Sequence, residues 1–308
     1  MRVLALLLCF ALGGGAQFRT TSTLVLAPTT VTDASGKYID GLQPSDLILY
    51  DNNVPQPIQV EEAFNPLSLV VAIQASANSS ANLDKLGDIG ILFTHVVAGD
   101  RGQTSLVSFA DDTRILADFT ANPDRLAQSL RHLRVRGNGA AILDTVMEAL
   151  TTLGKRPAVN RRVLLVIAEA RDRSSKLNLE MVAQAAQRQN VLIYWLTYSP
   201  FMSAVTAKAG QQPGQGNLLN AFTELSHQTK PDAAHELTRV TGGRVIHYLG
   251  KDSLEDAVVA VGGEIHRQYV VSFQPAPSAP GQYHAIRITV KDRPELTART
   301  RAGYWAVQ

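Results

Sequence analysis

Cysteine is nearly absent. The 308-residue chain has one, Cys9, and it falls in the first 16 residues, a segment read below as a removable leader. The remaining chain can form no disulfide and no thiolate metal site, so its fold must rest on burial. Long apolar runs are missing too: Val3–Leu12 spans about ten residues, short of the roughly 20 that cross a membrane. Charge of one sign is scarce. The formal net charge is +2, which points to no polyanionic partner. Arg125, Arg131, Arg134 and Arg136 make a basic stretch, but no aromatics interleave with it, so nucleic acid is not implied. The chain has no HExxH, no GxSxG, no phosphate-binding GxxxxGK, and no glycine-rich dinucleotide loop after its first buried strand. Its histidines, His95, His132, His227, His235, His247, His266 and His284, are scattered without close pairs and read as surface or helix-face residues. Nothing here marks an enzyme.

What is present is a globular composition, 45% hydrophobic and 18% charged. Residues 1–16 carry Arg2, the apolar Val3–Leu12 and small residues up to Ala16, the layout of a secretory signal peptide cut after Ala16. Leu8 stands before Cys9 where a lipid attachment signal wants a small residue. The expectation is export to a periplasm or the exterior, without stable membrane insertion after cleavage.

The central stretch is Pro66–Ile73. Its near-continuous β-branched and leucine run reads as a strand buried on both faces. It ends at Gln74 in a polar loop, Ala75–Ser79, where an open α/β sheet places its binding site. Before it, residues 17–65 read as a small β module: Thr20–Pro28, Thr29–Asp33, and a hairpin pairing Leu47–Tyr50 with Ile58–Val60. After it, strands and helices alternate. Thr104–Phe109 and Ile115–Phe119 read as a hairpin, Arg161–Ala168, Val191–Tyr198 and Arg244–Tyr248 as strands. Ala81–Val97, Pro123–Leu133, Ala140–Leu153, Leu179–Gln189, Asp232–Thr241 and Ser253–Arg267 read as helices, the last capped by Ser253. This is βαβ arithmetic. It predicts an α/β fold with a mainly parallel sheet and helices on both faces. Residues 199–230 interrupt the rhythm as a Gly/Gln-rich insertion with a short helix at Asn217–Leu225. Residues 268–308 return to β, and the two β segments, 17–65 and 268–308, are expected to pack together as a sandwich-like module beside an α/β domain at 66–267.

The order VVAIQASANS, TSLVSFADDTRILADFT, GNGAAILDTVMEAL, RRVLLVIAEARDRSS, ELTRVTGGRVIHY, QYVVSFQP and RAGYW resembles the von Willebrand factor A-related domain proteins abundant in Acidobacteria. The resemblance covers about residues 20–305. It implies a metal-ion-dependent adhesion site at the top of the sheet: Asp-x-Ser-x-Ser after the first strand, a Thr before a later helix, and an Asp after the fourth long strand. Oxygen ligands of this kind suit a hard divalent cation, with one coordination position left for an acidic group of a partner protein. Here Gln74 stands for the first Asp, Ser76 is kept, Asn78 replaces the second Ser, Ala140 the Thr and Glu169 the last Asp. The remnant candidates are therefore Ser76, Asn78, Glu169 and Asp172. Asp144 reads as a favourable charge near a helix N-terminus, and Glu169 as a partner in a surface salt bridge with Arg171 or Arg173.

These readings lead to one expectation with two alternatives. The first is an exported, non-catalytic, adhesion-like protein-interaction domain with no bound cofactor. Its unidentified protein partner would meet Gln74, Ser76, Asn78, Asn138, Ala140, Glu169 and Arg171. The alternatives are a structural block of a cell-envelope assembly, and an adhesin still dependent on Mg²⁺ or another divalent cation.

Overall fold

The computed structural model describes residues 24–61, 65–79, 83, 86, 89–198, 232–249 and 251–306. The expected signal peptide and the 199–230 insertion lie outside these residues.

The strand predicted at the centre is there. β5 (Leu67–Gln74) is buried along its whole length. Its neighbours alternate as strand geometry requires: Leu67, Leu69, Val71 and Ile73 enter one core, Val70 and Ala72 the other. Each such Leu, Val or Ile side chain, fully buried, is worth about 1.5–3 kcal/mol over leaving it in water. β6 (Gln103–Phe109), β7 (Thr113–Thr120), β8 (Arg161–Ile167), β9 (Val191–Thr197) and β10 (Val245–His247) complete a sheet ordered β10-β9-β8-β5-β6-β7. Only β7 runs antiparallel, as the return arm of the predicted hairpin. The order reverses between β5 and β8, which is the doubly wound pattern with its switch point at the end of the central strand.

Helices cover both faces. α1 (Pro123–Arg131) starts as predicted: the Asn122 side chain accepts from the backbone N–H groups of Asp124 and Arg125. α2 (Ile142–Gly154) starts two residues later than the pattern suggests. α3 (Leu179–Arg188) and α4 (Ala233–Thr241) follow, α4 stopping at Gly242 in the left-handed conformation, φ 89°. α5 (Lys251–His266) starts before Ser253, which is therefore not its N-cap; the Ser253 hydroxyl instead accepts from Leu249 N–H at 2.9 Å. In the region read as a helix over Ala81–Val97, Leu92–Ala98 is π-helical, with the wider turn seating Phe93 and Val97 in the core.

The N- and C-terminal strands interleave in two further sheets. β1 (Val25–Thr32) pairs with β11 (Tyr269–Phe273) and β13 (Thr297–Arg299), and β11 with β4 (Gln59–Glu61). β2 (Leu47–Asp51) pairs with β12 (Tyr283–Val290) and β3 (Val54–Gln56), and β12 with β14 (Gly303–Trp305). One core, including Ala27, Leu49, Val271, Phe273 and Tyr304, lies between them. Two expectations change here. β1 runs through Pro28 instead of breaking there: β13 starts to pair only at Thr30, so the missing N–H removes no bond from that ladder. The hairpin partner of β2 is Val54–Gln56, not Ile58–Val60, because Asn52 and Asn53 both take positive φ, 47° and 68°, and close a two-residue turn. Pro55 is tolerated because β3 is an edge.

Candidate functional site

The loops after β5, β6 and β8 and the segment before α2 are stitched to one another by backbone bonds, the β8 loop through Arg173 N–H, which donates to Ala140 O at 3.2 Å. Ala75 N–H donates to Phe109 O at 2.7 Å, Arg136 N–H to Ala75 O at 2.7 Å, Ala77 N–H to Gly137 O at 3.1 Å and Ala141 N–H to Ala110 O at 2.8 Å. The side chains above the switch point are held on a fixed frame.

At its centre is a buried polar cluster. Gln74, Ser76 and Glu169 are 1%, 0% and 6% exposed. Glu169 N–H donates to Gln74 Oε1 at 3.0 Å. That bond fixes which end of the amide is which, since only the oxygen can accept. The Gln74 NH₂ group therefore faces Ser76 Oγ at 2.8 Å and Glu169 Oε1 at 2.7 Å, and donates to both. Arg173 Nη2 reaches the same carboxylate oxygen at 2.5 Å. The pair is enclosed, with side-chain exposure of 17% for Arg173 and 8% for Glu169. It is thus a buried salt bridge and not the surface one expected. Tyr198, at the end of β9, sits beside the cluster, edge to face with Tyr248 at 5.9 Å. Burial, with Tyr248 and Glu169 nearby, pushes its phenol well above the ordinary value and keeps it neutral.

The remaining candidates divide. Asp172 does not join Glu169. Its Oδ1 accepts from the backbone N–H groups of Ile142 and Leu143 at 2.9 and 3.2 Å and from Ser175 Oγ. It caps α2 from another loop, in place of the absent side-chain cap at Ala141. Asp144 accepts in turn from Lys176 N–H at 3.1 Å and Leu177 N–H at 3.0 Å, clamping that loop. Ala140 is buried, and its N–H donates to Ser174 Oγ at 2.9 Å. Asn138 is exposed and Arg171 half-buried on the same edge. The side chain of Asn78 lies outside the described residues. Asp111 was not singled out from the sequence. Its carboxylate lies so close to Gly137 and Gly139 that a Cβ on either would come within 2.0 Å of it. A turn-forming Asp-Asp gives no hint of that contact. Among the basic residues, Arg134 folds back onto Arg131 O and Leu133 O, and Arg136 lies 3.8 Å from Asp112.

The donor set fits a hard divalent cation badly. Such an ion needs converging oxygens with free lone pairs. Here Ser76 Oγ and Glu169 Oε1 both face N–H donors, and the Gln74 carbonyl is taken by the backbone. Among the described residues no group of three His, Cys, Asp or Glu is placed to hold a metal ion. What the cluster can do is present a charge-balanced, hydrogen-bonded floor beneath three loops.

An open, mainly parallel sheet with this strand order and a polar cluster at its switch point defines a doubly wound α/β domain. Residues 86–230 match the family model of the von Willebrand factor type A domain. The match begins beyond Gln74 and Ser76 and includes Asn138, Ala140, Glu169 and Arg173. No curated protein matches the chain. Similar solved structures include the conserved hypothetical protein BatB from Bacteroides thetaiotaomicron, 14% identical with TM-score 0.46, covering 65% of this chain and 98% of that one. A von Willebrand factor type A protein from Catenulispora acidiphila is 10% identical with TM-score 0.48, covering 94% and 75%. The corresponding domain of the type V pili tip protein Mfa5 from Porphyromonas gingivalis is 12% identical with TM-score 0.43, covering 65% and 95%.

Proposed function

We propose that this chain is an exported, non-catalytic protein-interaction domain that engages its partner without a metal ion. The contact surface is the loop edge formed by Gln74–Asn78, Asn138–Ala140 and Glu169–Arg173. The observation that carries this reading is the closed Gln74–Ser76–Glu169–Arg173 cluster. A guanidinium, tied to the chain, supplies the positive charge that a cation would otherwise bring to Glu169. The loop edge is held rigid by backbone bonds, and a rigid edge binds with little ordering cost. The absence of nucleophile, phosphate and redox motifs supports a role in binding rather than turnover.

A second reading, a structural block in an envelope assembly, is favoured by one observation. Glu264, 1% exposed, bonds to Tyr38 and Tyr194 and ion-pairs with Arg244 and Arg299, locking sandwich and α/β domain together.

Capture from envelope and secreted fractions, with and without EDTA, tests the first reading. Retained capture in EDTA, and loss in Asn138→Trp and Arg171→Glu, is the expected result. Capture abolished by EDTA and restored by Mg²⁺ overturns the metal-free mode. Capture untouched by both substitutions transfers the contact to the sandwich and supports the second reading.

A further inference from the structure

Sandwich and α/β domain meet around a cavity of about 120 Å³. That is well beyond the roughly 10–15 Å³ that admits one water. Leu26 and Pro28 of β1 wall one side, Gln187 the other, and three arginines, Arg161, Arg162 and Arg301, complete it. Among the described residues lining it there is no Asp or Glu.

The arginines are held by neutral acceptors. Arg161 donates to Ile265 O at 3.0 Å and Gln268 Oε1 at 2.6 Å, and Arg162 to Gln189 O at 3.0 Å and Arg156 O at 2.8 Å. Arg301, 4% exposed, donates to Leu26 O at 3.3 Å, Gln187 O at 2.7 Å, Gly303 O at 2.8 Å and Asn190 Oδ1 at 2.5 Å. Among the described residues none of the three forms an ion pair with a carboxylate. The Nε of Arg162 is buried and donates to nothing. Enclosing charge without a counter-charge is costly, and a buried donor left open costs about 1–3 kcal/mol. Burial lowers the Arg161 guanidinium from its ordinary value and brings Arg301 down to about 10. Glu264, a buried carboxylate between the two modules, is already shared by Arg244 and Arg299.

We infer that this cavity is a binding site for a small multiply charged oxyanion of the phosphate or sulfate type, which bridges the two modules. Guanidinium groups suit such an ion because each offers fixed, paired N–H donors. The ion supplies the missing negative charge. Because its walls come from both modules, occupancy stabilises their union.

Calorimetry of the full chain with inorganic phosphate, at constant ionic strength against chloride, tests the inference. Saturable binding is expected, together with a saturating rise in Tm. Arg162→Gln is expected to weaken apparent affinity about tenfold or more, while the exposed control Arg114→Gln leaves it unchanged. An unsaturable Tm rise shared equally by wild type and Arg162→Gln is the general salting effect of such anions and overturns the site. So does phosphate heat no larger than that of chloride. Acetate saturating at equal or lower concentration than phosphate overturns the assignment of a multiply charged ion. Should Arg162→Gln fail to fold, the wild-type calorimetry and Arg162→Lys, expected to keep part of the affinity, decide it.

Discussion

Gln74 and Glu169 exchange two hydrogen bonds across the switch point: Gln74 Nε2 donates to Glu169 Oε1 at 2.7 Å, and Glu169 N–H donates back to Gln74 Oε1 at 3.0 Å. Gln74 is the last residue of β5, and Glu169 lies two residues past the end of the adjacent strand β8. The exchange seals the crevice that this topology leaves open.

Gln74→Leu removes both bonds: the Glu169 carboxylate keeps Arg173 but loses one donor, and the Glu169 N–H is left open in a buried place. The expected loss of stability is about 1–3 kcal/mol, the usual cost of one buried polar group left open. Urea denaturation measures it. A loss under 0.5 kcal/mol would show that the cluster does not depend on the amide.

Arg173→Met leaves Glu169 without its counter-charge while largely keeping side-chain volume. Breaking one partner of a buried pair costs about 3–5 kcal/mol, and the 17% exposure of Arg173 places the expectation at the low end. The double variant Arg173→Met with Glu169→Gln should recover much of the loss. A double-mutant cycle with no coupling would contradict the pairing.

Asp172→Ala uncaps α2 without touching Glu169. The expected cost is about 1 kcal/mol, within the usual 0.5–2 for a lost N-cap. Hydrogen exchange should quicken at Ile142 and Leu143, whose amides Asp172 holds. Unchanged exchange there would remove Asp172 from the capping role.

Glu264→Gln removes the shared carboxylate between Arg244 and Arg299. Both arginines are partly exposed, so about 3 kcal/mol is expected, below the middle of the range for a broken buried pair. In calorimetry the wild type should unfold in one transition and the variant in two. A single, unshifted transition in both would show that the network does not couple the modules.

Much of the fold was legible because burial leaves a periodic mark. The run Leu67–Ile73 could only be a two-faced strand, and Asn122-Pro123 could only open a helix. For the site, the resemblance implies only that Gln74, Ala140 and Glu169 stand where oxygen ligands are expected. The hydrogen-bonded cluster around Gln74 and Glu169 was not legible. Arg173 is visible four residues after Glu169, but sequence spacing in a loop does not tell whether a pair is buried. Asp172 looked like a spare ligand because nothing local shows that α2 lacks its own cap. His284 read as a surface residue, yet it is 8% exposed, with Nδ1 2.9 Å from Asp51 Oδ1. The arginines at the module junction come from β8, the β10 approach and the last strands, so only the folded chain brings them together.

The most direct test of the metal-free site is titration calorimetry of the intact chain with Mg²⁺, Mn²⁺ and Ca²⁺, beside the variant Gln74→Asp with Ala140→Thr. No saturable heat is expected for the wild type up to millimolar metal, because N–H donors face the oxygens an ion would need. Saturable binding by the wild type, weakened by Ser76→Ala, would contradict it.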